Sequence, residues 1–220
     1  MNKILSIYPF LLLTMVFCKA QNSETAHFIP NGYKAYASYF GDLNNDGLED
    51  FVLIIKNIDT SNIITNRFDK IVDRNRRGII VLFKDKKEYI IADKNYDCFS
   101  SENEDGGIYF PPELEIQIKN NKLYIHYGHG RYGYWTYTFR FQNSAFELIG
   151  YDSSSNRGPV TLTETSINFL TKKKLTKTNT NEDADGGDEI FTSTWDKIEI
   201  EKLIKLSEIK DFYELDMYKY

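Results

Sequence analysis

The chain of 220 residues is long enough to form one domain with a sizeable hydrophobic core. It carries 27 Lys and Arg against 32 Asp and Glu, a formal net charge of −5, which argues against binding to nucleic acid or to an anionic membrane surface. Aromatic residues make up 15% of the chain, a composition typical of β-strands.

Residues 1–20 predict a signal peptide for export. Lys3 supplies the positive start, and the apolar run at 4–17 is too short for a transmembrane helix. Cys18 and Ala20 are small residues of the kind that ordinary signal peptidase requires, which predicts a periplasmic or secreted protein. Alternatively, Cys18 directly follows the apolar run as an acylated lipoprotein cysteine would. Only that alternative, a lipoprotein anchored through Cys18, associates the protein with a membrane.

Residues 21–220 predict a single mostly β domain, built from antiparallel hairpins in a meander with few short helices. Strands are predicted at 33–40 and 51–55, on either side of a loop at 42–50. Further hairpins follow in chain order: 78–83 with 89–92, 114–119 with 122–126, 134–142 with 146–151, and 165–170 with 175–178. Short helical pieces are expected within 58–71 and after Ser207.

Two segments predict solvated loops, and one cysteine predicts a core position. Residues 100–107 and 178–189 are polar, acidic and glycine-bearing, without an apolar period. Once Cys18 is removed or acylated, Cys98 has no partner for an intrachain disulfide. We expect Cys98 to be a small buried apolar residue rather than a reactive thiol.

The loop at 42–50 predicts a calcium site. Oxygen-bearing side chains recur at alternate positions, and a glycine permits a sharp turn. A backbone carbonyl and a further carboxylate complete the set of predicted ligands, which is Asp42, Asn44, Asp46, Leu48 (through its carbonyl) and Asp50. Calcium prefers such all-oxygen donors. An EF-hand is not expected, because loop position twelve is Leu53 and a strand follows. The alternative is an Asx-rich turn that binds no ion.

Residues 41–55 resemble the FG-GAP/VCBS-type calcium loop of integrin-like propellers and of many exported bacterial proteins. That loop reads Gly-Asp-Leu-Asn-x-Asp-Gly-x-x-Asp before a hydrophobic strand, and the resemblance implies bound calcium. The pattern has no second copy, so a full propeller is not expected. Residues 134–152 and 165–171 are similar to a recurring ending of uncharacterised envelope proteins of Bacteroidetes-like bacteria, which implies export but no activity.

The aromatic run at 124–137 is the best candidate for a ligand-binding surface. Tyr127, Tyr132, Tyr134 and Trp135, together with Arg131, are expected to form a flat stacking platform for a sugar or a protein partner. The alternative is that these rings pair across strands inside the core. His126 and His129 lie three apart in a predicted strand, which places them on opposite faces and disfavours a shared metal.

The sequence therefore favours an exported, non-enzymatic binding protein stabilised by calcium. A protein partner in the envelope or outside the cell is preferred, and a glycan comes next. The alternative is an envelope hydrolase with paired carboxylates, drawn from the loop at 42–50 or from Glu102–Asp105. The nucleophile, nucleotide-binding and zinc-protease motifs are absent from the sequence, so the enzyme reading has the weaker support.

Overall fold

The computed structural model of the protein describes residues 24–105 and 110–220. The predicted signal peptide at 1–20, with Cys18, lies outside these residues. Within the described ranges, no helix has the length and apolar character needed to cross a membrane.

Short antiparallel strands make up most of the described chain, as predicted. They are β1 (Tyr33–Gly41), β2 (Asp50–Asn57), β3 (Ile63–Thr65), β4 (Ile71–Asp73), β5 (Arg77–Asp85), β6 (Glu88–Phe99), β7 (Glu113–Lys119), β8 (Lys122–Gly128), β9 (Gly133–Gln142), β10 (Ala145–Arg157), β11 (Val160–Asn168), β12 (Lys173–Asn179) and β13 (Phe191–Lys197). Single 3₁₀ turns lie at Ala26–Phe28, Thr60–Asn62, Gly130–Tyr132 and Leu206–Glu208.

The strands form two facing sheets and one small hairpin. The first sheet has the order β1-β2-β5-β6, the second has the order β13-β12-β11-β10-β9-β8-β7, and β3 pairs with β4. The second sheet is a plain meander, in which each strand pairs with the next one in the chain. In the described residues the sheets close into neither a barrel nor a propeller, and they form one domain. The predicted fold class is therefore confirmed.

Local turn chemistry explains the hairpins of the second sheet. Asn120 and Asn121, between β7 and β8, have φ values of 50° and 57°. Asn143 and Ser144, between β9 and β10, have φ values of 52° and 59°. Two-residue turns with positive φ at both positions match the twist of antiparallel strands, and asparagine tolerates this conformation better than most residues.

The main core lies between the two sheets. The first sheet contributes Val52, Ile54, Ile79, Val81 and Phe83, and the second contributes Leu123, Ile125, Phe139, Phe146, Leu148 and Ile167. Alternate residues of β8 are buried, as expected for a strand with one face toward the core. Cys98 belongs to the same core and is free, and burial raises the pKa of its thiol. The prediction for Cys98 is confirmed.

The first sheet is buried on its other face as well. Phe51, Leu53 and Ile55 of β2 form a second cluster with Ile80, Leu82 and Tyr89, and Phe28 and Ile29 from the N-terminal segment pack against it. A strand that is covered on both faces has a continuous apolar sequence rather than an alternating one. This position accounts for the unbroken run that follows the loop at 42–50.

The segment after β13 completes the main core without forming a strand of its own. Leu206, Ile209 and Phe212 are buried, with exposures of 0%, 4% and 1%. The side-chain amide of Asn95 on β6 donates to the carbonyls of Leu206 and Ile209 at 2.8 and 2.7 Å. The Phe212 N–H donates to the Cys98 carbonyl at 3.0 Å. These bonds hold the segment along the β6 edge of the first sheet.

Two parts of the fold differ from the sequence prediction. Within 58–71, the predicted helical piece is limited to the 3₁₀ turn Thr60–Asn62, and the rest leads into the β3–β4 hairpin. Strand β13 was not predicted. All its residues are exposed, so it lacks the apolar face by which a strand is recognised in a sequence.

Candidate calcium loop and aromatic cleft

The loop between β1 and β2 is organised by Asp42. Its Oδ1 accepts a hydrogen bond from the Asn45 N–H at 2.6 Å, and its Oδ2 accepts one from the Gly47 N–H at 3.0 Å. Asn45 and Gly47 have positive φ values of 65° and 82°. The chain therefore curls around this carboxylate, an arrangement that suits both a calcium loop and an Asx-rich turn without an ion.

Asn44 and Asp46 form a second layer of the same turn. The Asn44 Oδ1 accepts from the Asp46 N–H at 3.0 Å, and its amide donates to the Asp46 Oδ2 at 2.9 Å. The Asp46 Oδ1 accepts from the Leu48 N–H at 2.7 Å. Each of these oxygens accepts one hydrogen bond and keeps a second lone pair. The donor type therefore fits calcium.

Asp50 has a different environment from the other predicted ligands. Its side chain is fully buried; Oδ2 accepts from the Leu43 N–H at 2.7 Å, and Oδ1 accepts from the Lys84 N–H at 3.0 Å. Burial raises the pKa of this carboxyl, and the neighbouring carboxylates of Asp46 and Asp42 add to the effect. Asp50 thus ties the loop to β5 through its own hydrogen bonds.

No group of three His, Cys, Asp or Glu side chains in residues 24–105 and 110–220 is arranged to hold a metal ion. The predicted set relies instead on an amide, a backbone carbonyl and three carboxylates, of which Asp50 already has two backbone partners. The calcium site stays a prediction.

The acidic loop that the hydrolase alternative invokes is held in ion pairs. Glu102 contacts the buried Nζ of Lys56 at 2.5 Å, and Asp105 contacts the Arg74 guanidinium at 2.6 Å. The Glu104 carboxylate accepts from the Ser101 hydroxyl at 2.8 Å. These carboxylates fasten the loop to the β-sheet framework, so this part of the predicted solvated loop is ordered by charge pairing.

The predicted aromatic platform is divided between different surfaces. Tyr127 is a core residue with 4% exposure, and its ring stacks on Trp135 at 5.3 Å between centroids. Tyr134 lies on the opposite face of the sheet, where it contacts His126 at 5.5 Å. Arg131 and Tyr132 lie in the 3₁₀ turn before β9. Alternation along β8 and β9 causes this division, so the five side chains do not share one face.

Trp135 instead faces a cleft of about 490 Å³ at one end of the main core. The walls come from β9, β10 and the segment after β13, and they consist of His129, Trp135, Tyr137, Tyr151, Phe212, Tyr213, Glu214, Leu215, Asp216, Met217 and Tyr218. Tyr151 enters the cleft because it pairs with Tyr137 across β9 and β10. Most of the lining residues are Trp, Tyr or Phe, so the cleft presents mainly ring surfaces.

Two groups of rings form the walls. Trp135 contacts Tyr213 at 6.3 Å and His129 at 6.5 Å, both nearly edge to face. Tyr137 contacts Tyr151 at 5.3 Å and Phe212 at 5.0 Å. Tyr213 is 60% exposed at the rim. Ring surface is open to a ligand at Tyr213 and in part at Trp135 and Tyr151, whereas Tyr137 and Phe212 are buried.

The polar groups of the cleft are phenols, carboxylates and the imidazole of His129. Burial raises the pKa values of Tyr137 and Tyr151, so both phenols stay protonated near neutral pH. The Tyr137 hydroxyl donates to the Phe212 carbonyl at 3.1 Å. Glu214 and Asp216 are exposed lining residues, and in the part of the chain that the structure describes no Lys or Arg lines this cleft. The cleft therefore suits neutral or cationic groups better than anions.

His126 and His129 lie in different places and make separate contacts. The Nδ1 of His126 lies 2.7 Å from the Thr136 hydroxyl, whereas the Nε2 of His129 lies 3.2 Å from the Phe110 carbonyl. His129 lines the cleft, and His126 lies on the outer face of the sheet.

Sequence reasoning identified Trp135 and missed its partners. The sequence predicts Tyr151 in a strand but assigns it no site, and it assigns residues 212–218 no binding role. A usable signal is present, because Phe212 and Tyr213 stand between Asp211 and Glu214, and Tyr218 follows two residues after Asp216. Comparison with protein-family models, with curated proteins and with solved structures finds no match to this chain, so no relative assigns a role to these residues.

Proposed function

We propose that this protein is a non-enzymatic binding protein that acts outside the cytoplasm and takes its ligand in the aromatic cleft around Trp135. A segment of a protein partner is the favoured ligand, and a glycan is next. The observation that carries the proposal is the cleft itself: tilted and edge-to-face rings line about 490 Å³, with Tyr213 exposed at the rim. Exposed rings beside a concave apolar surface are typical of recognition sites.

The cleft can be tested through Trp135 fluorescence. The chain has two Trp residues, so the Trp195→Phe variant leaves Trp135 as the only reporter. Peptides from a fractionated envelope digest and neutral oligosaccharides such as cellohexaose serve as probes. We expect a peptide fraction to shift the emission and Tyr213→Ala to weaken the response.

Tyr134→Ala is the matched control, because Tyr134 is next to Trp135 in β9 but lies on the outer face of the sheet, away from the cleft. A response that is equal in the Tyr213→Ala and Tyr134→Ala variants would place the ligand elsewhere and refute the cleft. A response to cellohexaose alone would replace the protein partner with a glycan.

A hydrolase is the second candidate, and one observation favours it. Glu214 and Asp216 are two carboxylates on the same wall of a ring-lined cleft, and two carboxylates suffice for glycoside hydrolysis. Turnover of chromogenic glycosides that is abolished by Glu214→Gln would establish this activity and overturn the non-enzymatic proposal.

We propose in addition that the loop at 42–50 binds calcium as a staple between β1 and β2. The support is the oxygen donors of Asp42, Asn44 and Asp46 around a turn with positive φ at Gly47. Ligand at 100 times its Kd stabilises a fold by about 2.7 kcal/mol. Thermal melts in calcium and in chelator should therefore differ, and identical midpoints without calorimetric binding would refute the staple.

A further inference from the structure

We propose that the aromatic cleft recognises an alkylammonium group, and that the group is a lysine side chain of the protein partner. This inference rests on the proposed function, because it names the chemistry that the same cleft selects. It depends on the electrostatics of the walls, and not only on their apolar character.

The exposed part of the cleft wall is favourable to a cation. Trp135, Tyr151 and Tyr213 have solvent-accessible ring surface, and the face of an aromatic ring carries negative potential. Glu214 and Asp216 add two formal negative charges, and among the described residues no Lys or Arg lines the cleft. A cation within about 6 Å of a ring centroid is attracted to that ring, most strongly by Trp.

The chain places its own cations over other rings. Such contacts involve Tyr36, Phe68, Tyr89, Tyr96 and Tyr220 among the described residues. The closest is the Lys84 Nζ, 4.1 Å from the Tyr89 centroid. The rings of the cleft, Trp135 included, are absent from this set. One face of Trp135 is covered by the Tyr127 ring, and the remaining exposed ring surface of Trp135, Tyr151 and Tyr213 is left for a cation from outside the chain.

Arg76 lines an adjoining cavity together with Tyr213 and Glu214, but its charge is paired. Arg76 contacts the carboxylates of Asp211 and Asp97, each at 2.8 Å. The Nζ of Lys219 lies over the Tyr220 ring, at 4.9 Å from its centroid. Neither group lines the cleft, so an external ammonium does not compete with an internal one.

The favoured source is a lysine rather than a free quaternary amine, for a geometric reason. The cleft is open on the side of Tyr213 and Tyr218, which are 60% and 96% exposed. An open rim leaves room for the backbone from which a side chain enters. The apolar lysine stem would then contact the rings while its ammonium reaches Glu214 and Asp216.

The chemistry is tested with a pair of probes of equal shape. Choline and 3,3-dimethyl-1-butanol differ in the charge of one centre, and binding of each is followed by Trp135 emission in the Trp195→Phe protein. We expect choline to bind about tenfold more tightly. Glu214→Gln should reduce the choline affinity and leave that of the neutral probe unchanged. Equal affinity of the two probes, or no choline binding, overturns the alkylammonium inference.

The source is tested with the peptide that the cleft captures. Replacing each lysine of that peptide in turn by norleucine should weaken binding about tenfold at one position. A choline preference without any such position supports the chemistry and overturns the lysine source. Failure of both cation tests, with capture still abolished by Tyr213→Ala, overturns this inference alone. Capture unaffected by Tyr213→Ala refutes the proposed cleft function instead.

Discussion

Replacing Phe212 by Ala tests whether the segment after β13 is part of the core. The ring is 1% exposed and lies 5.1 Å from Phe99, 5.0 Å from Tyr137 and 6.0 Å from Phe139. Truncating a buried Phe to Ala typically costs about 3–5 kcal/mol. Three aromatic neighbours on both sheets place this site at the upper end of the range, since each aromatic pair contributes about 0.5–1.5 kcal/mol beyond its buried area.

The free energy of unfolding is measured by urea denaturation, and the midpoint by a thermal melt. A loss of about 3–5 kcal/mol corresponds to a fall in Tm of roughly 6–20 °C for a domain of this size. The adjacent Tyr213→Ala change is the control. Tyr213 is 60% exposed, so its truncation should alter stability by about 0.5 kcal/mol or less.

The comparison of the two neighbours decides the question. A loss below about 1 kcal/mol for Phe212→Ala, or equal losses for both variants, is incompatible with the segment as a core element. The reasoning about how the cleft wall is held would then be wrong as well, because Phe212 lines both the core and the cleft.

Four further changes have defined outcomes. Glu102→Gln should lower the free energy of unfolding by about 1–2 kcal/mol, and the double variant Glu102→Gln, Asp73→Asn should lower it by about 3–5 kcal/mol. Only the double change leaves buried Lys56 without a counter-charge. Additive losses in urea denaturation would contradict this reasoning. Burial raises the pKa of Asp93 above its ordinary 3.8, so the stability linked to this carboxyl is full below pH 3.8 and is lost as the pH rises through the raised pKa. The Asp93→Asn variant should lack this loss of stability. Parallel curves of stability against pH for the two proteins would refute the role of Asp93. Asp46→Ala should abolish any difference between melts in calcium and in chelator, and a retained difference would exclude Asp46 as a ligand. Gly133→Ala should lower the Tm, because a Cβ at Gly133 would lie 2.0 Å from the Ser154 carbonyl oxygen; an unchanged midpoint would show that β9 and β10 can move apart there.

Local patterns were sufficient to predict most of the second sheet. The paired Asn120 and Asn121, and the alternation in β8 and β9, are properties of neighbouring residues, so hairpins and facing directions follow from them. The same alternation could have shown that Tyr134 and Trp135 point to opposite faces.

The cleft could not be predicted in the same way, because it depends on contacts between distant segments. Tyr137 and Phe212 are 75 residues apart, and the hydroxyl-to-carbonyl bond between them exists only after both sheets have packed. Residues 198–220 have no helical or strand period, since single buried residues alternate there with turns. Strand β13 was missed for a related reason, because neither of its faces is covered.

The position of Phe212 and its neighbours late in the chain has a consequence for biosynthesis. Synthesis delivers the hairpins of both sheets first, yet Leu206, Ile209 and Phe212 fill the space between the sheets only after β13 has been made. Until then the nascent chain exposes Phe99 and Phe139, the rings that Phe212 covers. The main core therefore stays incomplete, however early the hairpins form, until the segment that contains Phe212 has been made and has packed between the sheets.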